Sequence, residues 1–79
     1  MTYRVKQLVL DTQEAKVHGT FQTEGEAKMR FAQILDEAFD SLELDAATVR
    51  QKIEDALHDG YLHFREHGKV TRWYMIERD

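Results

Sequence analysis

Three histidines, His58, His63 and His67, stand five and four residues apart, and histidines clustered in this way are the raw material of zinc sites. A second set, Asp36, Glu37, Asp40 and Glu43, offers the paired carboxylates from which general acids and bases are drawn. Neither pattern carries its chemistry through. The elements assigned below put His58 at a helix end, His63 in mid-strand and His67 in a turn, so no common face joins them. They read as surface or packing residues, and neither a metal nor a cofactor is expected. The carboxylates read as the solvated face of a helix, or as an acidic surface for a basic partner. The four glycines lie too far apart for a phosphate loop or a dinucleotide fingerprint. Ser41 lacks the glycine-flanked setting of a nucleophile elbow. With no cysteine there is no thiol nucleophile. The expectation is a protein that is not an enzyme.

The elements that would position these residues follow from the hydrophobic periods. Two alternating stretches come first, two helix-period stretches follow, and two more alternating stretches close the order, with no proline anywhere. That order, ββααββ, predicts an α+β fold in which two hairpins form an antiparallel sheet and two helices cover one face. A chain of 79 residues makes one domain, residues 1–79, with a thin core. The longest apolar run is Leu8-Val9-Leu10, too short to span a membrane or to serve as a signal-peptide core. Together with the lack of cysteine, this points to a cytoplasmic protein.

The first hairpin is expected over about Tyr3–Leu10 and Lys16–Gln22, with Asp11–Ala15 as its loop. Pairing Val9 with Val17 and Val5 with Phe21 puts Tyr3, Val5, Val9, Val17 and Phe21 on the core face. Gly19 inside this strand marks a bulge or a close backbone approach. The first helix starts at a capping box, Thr23-Glu24-Gly25-Glu26. Its stripe is Ala27, Phe31, Ile34, Leu35, Ala38, Phe39 and Leu42, and Glu26–Arg30 is a favourable pair one turn apart. After a short linker, Asp45 caps the second helix, Leu44 and Val49 staple it, and Gly60 ends it. Its stripe is Val49, Ile53, Ala56 and Leu57. The last hairpin, about Tyr61–Glu66 and Lys69–Glu77, turns at His67-Gly68. A simple register from that turn pairs Leu62 with Trp73 and places Leu62, Phe64, Trp73 and Met75 in the core.

The outer sheet face then collects Arg4, Lys6, His18, His63, Arg65 and Arg72 beside Leu8, Leu10, Tyr61, Val70, Tyr74 and Ile76, with no acidic residue. As many apolar as basic side chains on one uncovered face are more than a solvated surface requires, and such patches mark interfaces. The predicted function is a small non-catalytic interaction module using Arg4, Lys6, Leu8, Leu10, Tyr61, His63, Arg65, Val70, Arg72, Tyr74 and Ile76. Its partner is a protein or a second copy of the chain. Nucleic acid is the alternative, with bases stacked on the rings and phosphates on the arginines. The charge argues against it. Residues 24–59 carry four basic and ten acidic residues, a net −6 within an overall −4, which repels a polyanion.

The segment from Ala46 to Arg78, a helix followed by a hairpin with Arg65, Lys69 and Arg72 near its tip, is similar in element order to the recognition helix and wing of winged helix-turn-helix proteins. That resemblance implies DNA binding. The helix that would enter the groove is acidic, however (Glu54, Asp55, Asp59), which opposes contact with phosphates.

Overall fold

The structure, a computed structural model, describes residues 1–40 and 42–78. Ser41 lies outside the described residues. Six elements follow the expected order: β1 (Tyr3–Val9), β2 (Glu14–Phe21), α1 (Glu24–Asp40), α2 (Ala46–Asp59), β3 (Tyr61–Glu66) and β4 (Lys69–Arg78). The strands form one antiparallel sheet in the order β2-β1-β4-β3. Each hairpin is local in sequence, and the pairing of β1 with β4 joins them. Both helices lie on one face, and among the described residues nothing forms a second layer on the other.

The helix boundaries follow from side-chain chemistry. The Glu26 amide donates to Thr23 Oγ1 at 3.2 Å, satisfying one amide that the first turn leaves open. The second half of the expected box differs: the Thr23 hydroxyl donates to Glu26 Oε1 at 2.9 Å. The ion pair on this helix is Lys28–Glu24 at 2.9 Å, while Arg30 turns to Gln33 instead of Glu26. At α2 the Thr48 amide donates to Asp45 Oδ1 at 2.6 Å. Gly60 closes this helix at φ +85°, its amide bonded to the Ala56 carbonyl, a backbone geometry that side chains bearing a Cβ resist.

The core sits between the sheet and α1. Val5, Ala27, Phe31, Ile34, Leu35, Phe39, Ala56, Phe64 and Tyr74 are buried together. Ile53 and Leu57 of α2 are only partly buried against them, so α2 covers the edge of the core and not its centre. Phe39 and Phe64 meet at 4.9 Å between ring centroids, and Phe64 meets Tyr74 edge-on at 5.3 Å.

Two single-residue bulges separate the observed faces from the expected ones. In the first hairpin Val5 pairs with Gly19 and Lys6 with Val17, leaving His18 as the extra residue. Val17 thereby swings to the outer face, 51% exposed, and His18 joins the helix side, where its Nε2 lies 2.8 Å from Gln7 Oε1. Gly19 allows the Phe21 ring to lie against the strand. A Cβ at this position would stand 2.7 Å from Phe21 Cζ.

In the second hairpin the turn is as expected, with Glu66 paired to Lys69 and positive φ at His67 and Gly68. The strand then slips: Arg65 pairs with Val70 but Phe64 pairs with Arg72, so Thr71 is the extra residue. Leu62 accordingly pairs with Tyr74, not Trp73. A one-residue slip exchanges the two faces of everything beyond it. Tyr74 and Ile76 go to the core, and Trp73 and Met75 go to the outer face.

Candidate interaction face

The register fixes which side chains share the outer face. One row across the sheet is Ala15, Leu8, Trp73 and His63, and the next is Val17, Lys6, Met75 and Tyr61. Leu10, Val70 and Arg65 lie beyond the first row, and Thr20, Arg4 and Glu77 beyond the second. Around Trp73 the face is apolar and aromatic. His63 packs edge-on against Trp73 at 4.7 Å between centroids, and Tyr61 lies 5.2 Å from His63. Tyr61 is 47% exposed and Leu10 42%, while Leu8, Trp73, Met75 and Val70 are half-buried by one another.

Most charge on this face lies toward its ends, and Lys6, in the second row between Val17 and Met75, reaches to Glu77 at one of them. Glu77 holds Lys6 at 2.6 Å and Arg4 at 3.5 Å. The hydrogen bond from Lys6 and the nearby positive charges of Lys6 and Arg4 keep the Glu77 carboxyl below its ordinary range. An acidic residue on this face was not expected from the sequence. It sits there because the slip at Thr71 shifts the parity of β4 as far as Glu77.

Of the residues expected on the interaction face, Arg4, Lys6, Leu8, Leu10, Tyr61, His63, Arg65 and Val70 lie on it. Arg72, Tyr74 and Ile76 do not. Arg72 stacks its guanidinium 4.7 Å above the Phe64 ring on the helix side, Tyr74 is buried in the core, and Ile76 packs against that core. Trp73 and Met75 take their places on the outer face. The sequence carried no signal for this exchange: Thr71, the extra residue, is an ordinary strand residue.

The remaining groups with possible chemistry are dispersed. His58 is almost fully exposed, 3.6 Å from Asp59, His63 packs on Trp73, and His67 forms the turn. Among the described residues no three His, Cys, Asp or Glu side chains converge as metal ligands do. Asp36, Asp40 and Glu54 rim an open groove of about 430 Å³ between the helices, with Val49, Ile53 and Arg50. The C-terminal hairpin is not a projecting wing, because β4 is a central strand paired on both sides. No described helix is long and apolar enough to cross a membrane. No protein-family profile matches the chain, and comparison with curated proteins and with solved structures finds no match.

Proposed function

We propose that this chain is a non-catalytic, cytoplasmic interaction module that uses its outer sheet face to associate, stacking on the same face of a second copy. The single observation that carries this reading is the position of Trp73. It stands mid-sheet on the uncovered side, flanked by Leu8 and His63 in its own row and with Met75 further along β4 on the same face. Large apolar side chains around Trp73, with Lys6 and Arg4 drawn into ion pairs with Glu77 toward one end, match the anatomy of an interface, where aromatic anchors sit inside a polar rim. Two stacked sheets place such faces about 10 Å apart with their side chains interdigitated. A thin two-layer domain also gains folding stability when its open face is covered.

The same geometry disfavours nucleic acid as the partner. Glu77 neutralises the cations at one end, Arg72 is turned to the helix side, and the helices contribute strong negative charge. Sedimentation velocity across micromolar to near-millimolar concentration tests the reading. The parent chain should self-associate, and Met75→Glu or Leu8→Glu should weaken that association by burying a charge against apolar neighbours. A parent chain that stays monomeric throughout would sink self-association. Micromolar oligonucleotide binding at physiological salt, lost on Arg65→Ala, would replace this reading with the nucleic-acid one.

A further inference from the structure

We infer that β3 is a second, separate self-association site, at which two copies pair edge to edge and extend the sheet across a two-fold axis through His63. This inference does not rest on the stacking of the outer faces.

β3 is one of the two edge strands, and its backbone polarity is fixed from both ends. The Ile76 amide donates to the Gly60 carbonyl, so Gly60 is turned inward toward β4. At the other end the two-residue turn pairs Glu66 with Lys69, so Glu66 is also turned inward. Backbone polarity alternates along an antiparallel strand. Leu62 and Phe64 therefore spend their amides and carbonyls on β4, whereas Tyr61, His63 and Arg65 present theirs outward. The bulge at Thr71 lies on β4 and leaves this alternation on β3 intact.

Natural edges are guarded by lysine, proline or a bulge. The opposite edge, β2, has such guards: Lys16 and Glu14 are exposed on it and the His18 bulge breaks its line. β3 carries no lysine, no proline and no bulge of its own, and its exposed charges, Arg65 and Glu66, stand only at its turn end. A hollow of about 310 Å³ runs beside it, lined by Leu42, Leu44, Leu62 and Phe64 together with Lys52, His63 and Arg65. Leu42 and Leu44, on the linker side of that hollow, are 39% and 41% exposed.

The outward groups are self-complementary. With the axis at His63, the two His63 residues form one hydrogen-bonded pair and Tyr61 pairs with Arg65 of the second copy on either side. Every outward amide and carbonyl of the three residues is satisfied. Leu62 then faces Phe64 of the second copy on the helix side, beside the two leucines. On the outer side Arg65 meets a tyrosine ring, a favourable cation–π pairing, and no like charges are opposed.

The chain has no cysteine, so a single introduced thiol reports one contact. Opposed residues of a hydrogen-bonded pair have Cα atoms about 5.5 Å apart, within disulfide range. His63→Cys under mild oxidation should give a cross-linked dimer at least tenfold faster than Thr20→Cys on the other edge. His63→Pro, or Arg65→Pro if that chain is unfolded by circular dichroism, should weaken the edge dimer at least tenfold in sedimentation, since the lost amide points away from β4. Both effects should persist in the Met75→Glu background, which separates this site from the outer face. Equal cross-linking at positions 63 and 20, or a dimer constant unchanged by a folded proline variant in that background, would overturn the inference.

Discussion

Replacing Tyr74 and Trp73 one at a time by alanine tests the assignment of the two sheet faces, because these neighbours point to opposite sides. Tyr74 is 3% exposed and packs edge-on against Phe64. Deleting such a ring removes its transfer free energy and leaves a cavity under α1, together about 3–5 kcal/mol. Trp73 is half-buried and has no layer above it, so its loss removes only lateral cover from Leu8 and His63. At about 25 cal/mol per Å² over the covered part of the ring, that is about 1–2 kcal/mol. A chain of 79 residues has a total stability of about 4–12 kcal/mol. Tyr74→Ala therefore threatens the fold outright, while Trp73→Ala leaves it standing. In thermal terms each kcal/mol is about 4–8 °C for a domain of this size. Tyr74→Phe is the control. It gives up only a hydroxyl whose contact with Arg72 Nη1 is long, at 3.5 Å, and it should cost under about 1 kcal/mol. Urea unfolding followed by circular dichroism, at a concentration where the chain sediments as monomer, gives all three values. If Trp73→Ala costs as much as Tyr74→Ala or more, the slip at Thr71 is absent and the faces are exchanged.

Gly60→Ala should cost about 1 kcal/mol, read from urea midpoints, because a Cβ is disfavoured at φ +85°. Asp45→Ala should lower the same midpoint, with Asp45→Asn keeping most of the cap. The hydrogen bond from Thr48 holds the Asp45 carboxyl below its ordinary range, and Glu77 and Glu24 are depressed by Lys6 and Lys28. A carboxylate lowered in the folded state contributes stability above its unfolded pKa, and that contribution fades as pH falls through the folded value. Thermal midpoints should thus drop below about pH 4, less steeply in Lys6→Met. His18 is lowered from 6.5 by burial first, then by Lys16 and Arg30, against an opposing pull from Glu37. The unfolded chain therefore takes up its proton first, and stability should fall as pH drops from 6.5 toward the folded value. His18→Gln should flatten that interval in a pH series of midpoints.

The element order, the N-terminal caps of both helices, the α1 stripe as far as Phe39 and the His67-Gly68 turn were legible in the sequence because each rests on local chemistry at short spacing. Leu42, expected in that stripe, lies past the end of α1 and is 39% exposed. The faces of β1 were legible too, since its alternation is regular and unbroken. The faces of β2 and β4 were not. Each contains one unpaired residue, His18 or Thr71, and period-two reading carries a parity error past it. At Gly19 the signal was present, as a strand glycine: the bulge falls beside it at His18, and the Phe21 ring lies close against it. At Thr71 there was no such signal. Trp73-Tyr74-Met75-Ile76 is apolar at every position, so the pattern itself could not choose a side. That ambiguity misplaced Arg72, Tyr74 and Ile76, and hid Trp73 and Met75 as members of the candidate face.

The strand order carries a kinetic consequence. β4 is synthesised last of the six elements yet occupies the middle of the sheet, between β1 and β3. Until it emerges, β1 has only its hairpin partner, and Phe64 and the underside of α1 lack the Tyr74 ring. The early hairpin and α1 can form within microseconds, but their apolar faces stay unfinished until a closure spanning nearly the whole chain brings Tyr3 opposite Arg78. Closures of that span raise the mean sequence separation of contacts and slow folding. The step that commits the chain is therefore the docking of β4 on β1, and substitutions along that seam should retard refolding more than they hasten unfolding.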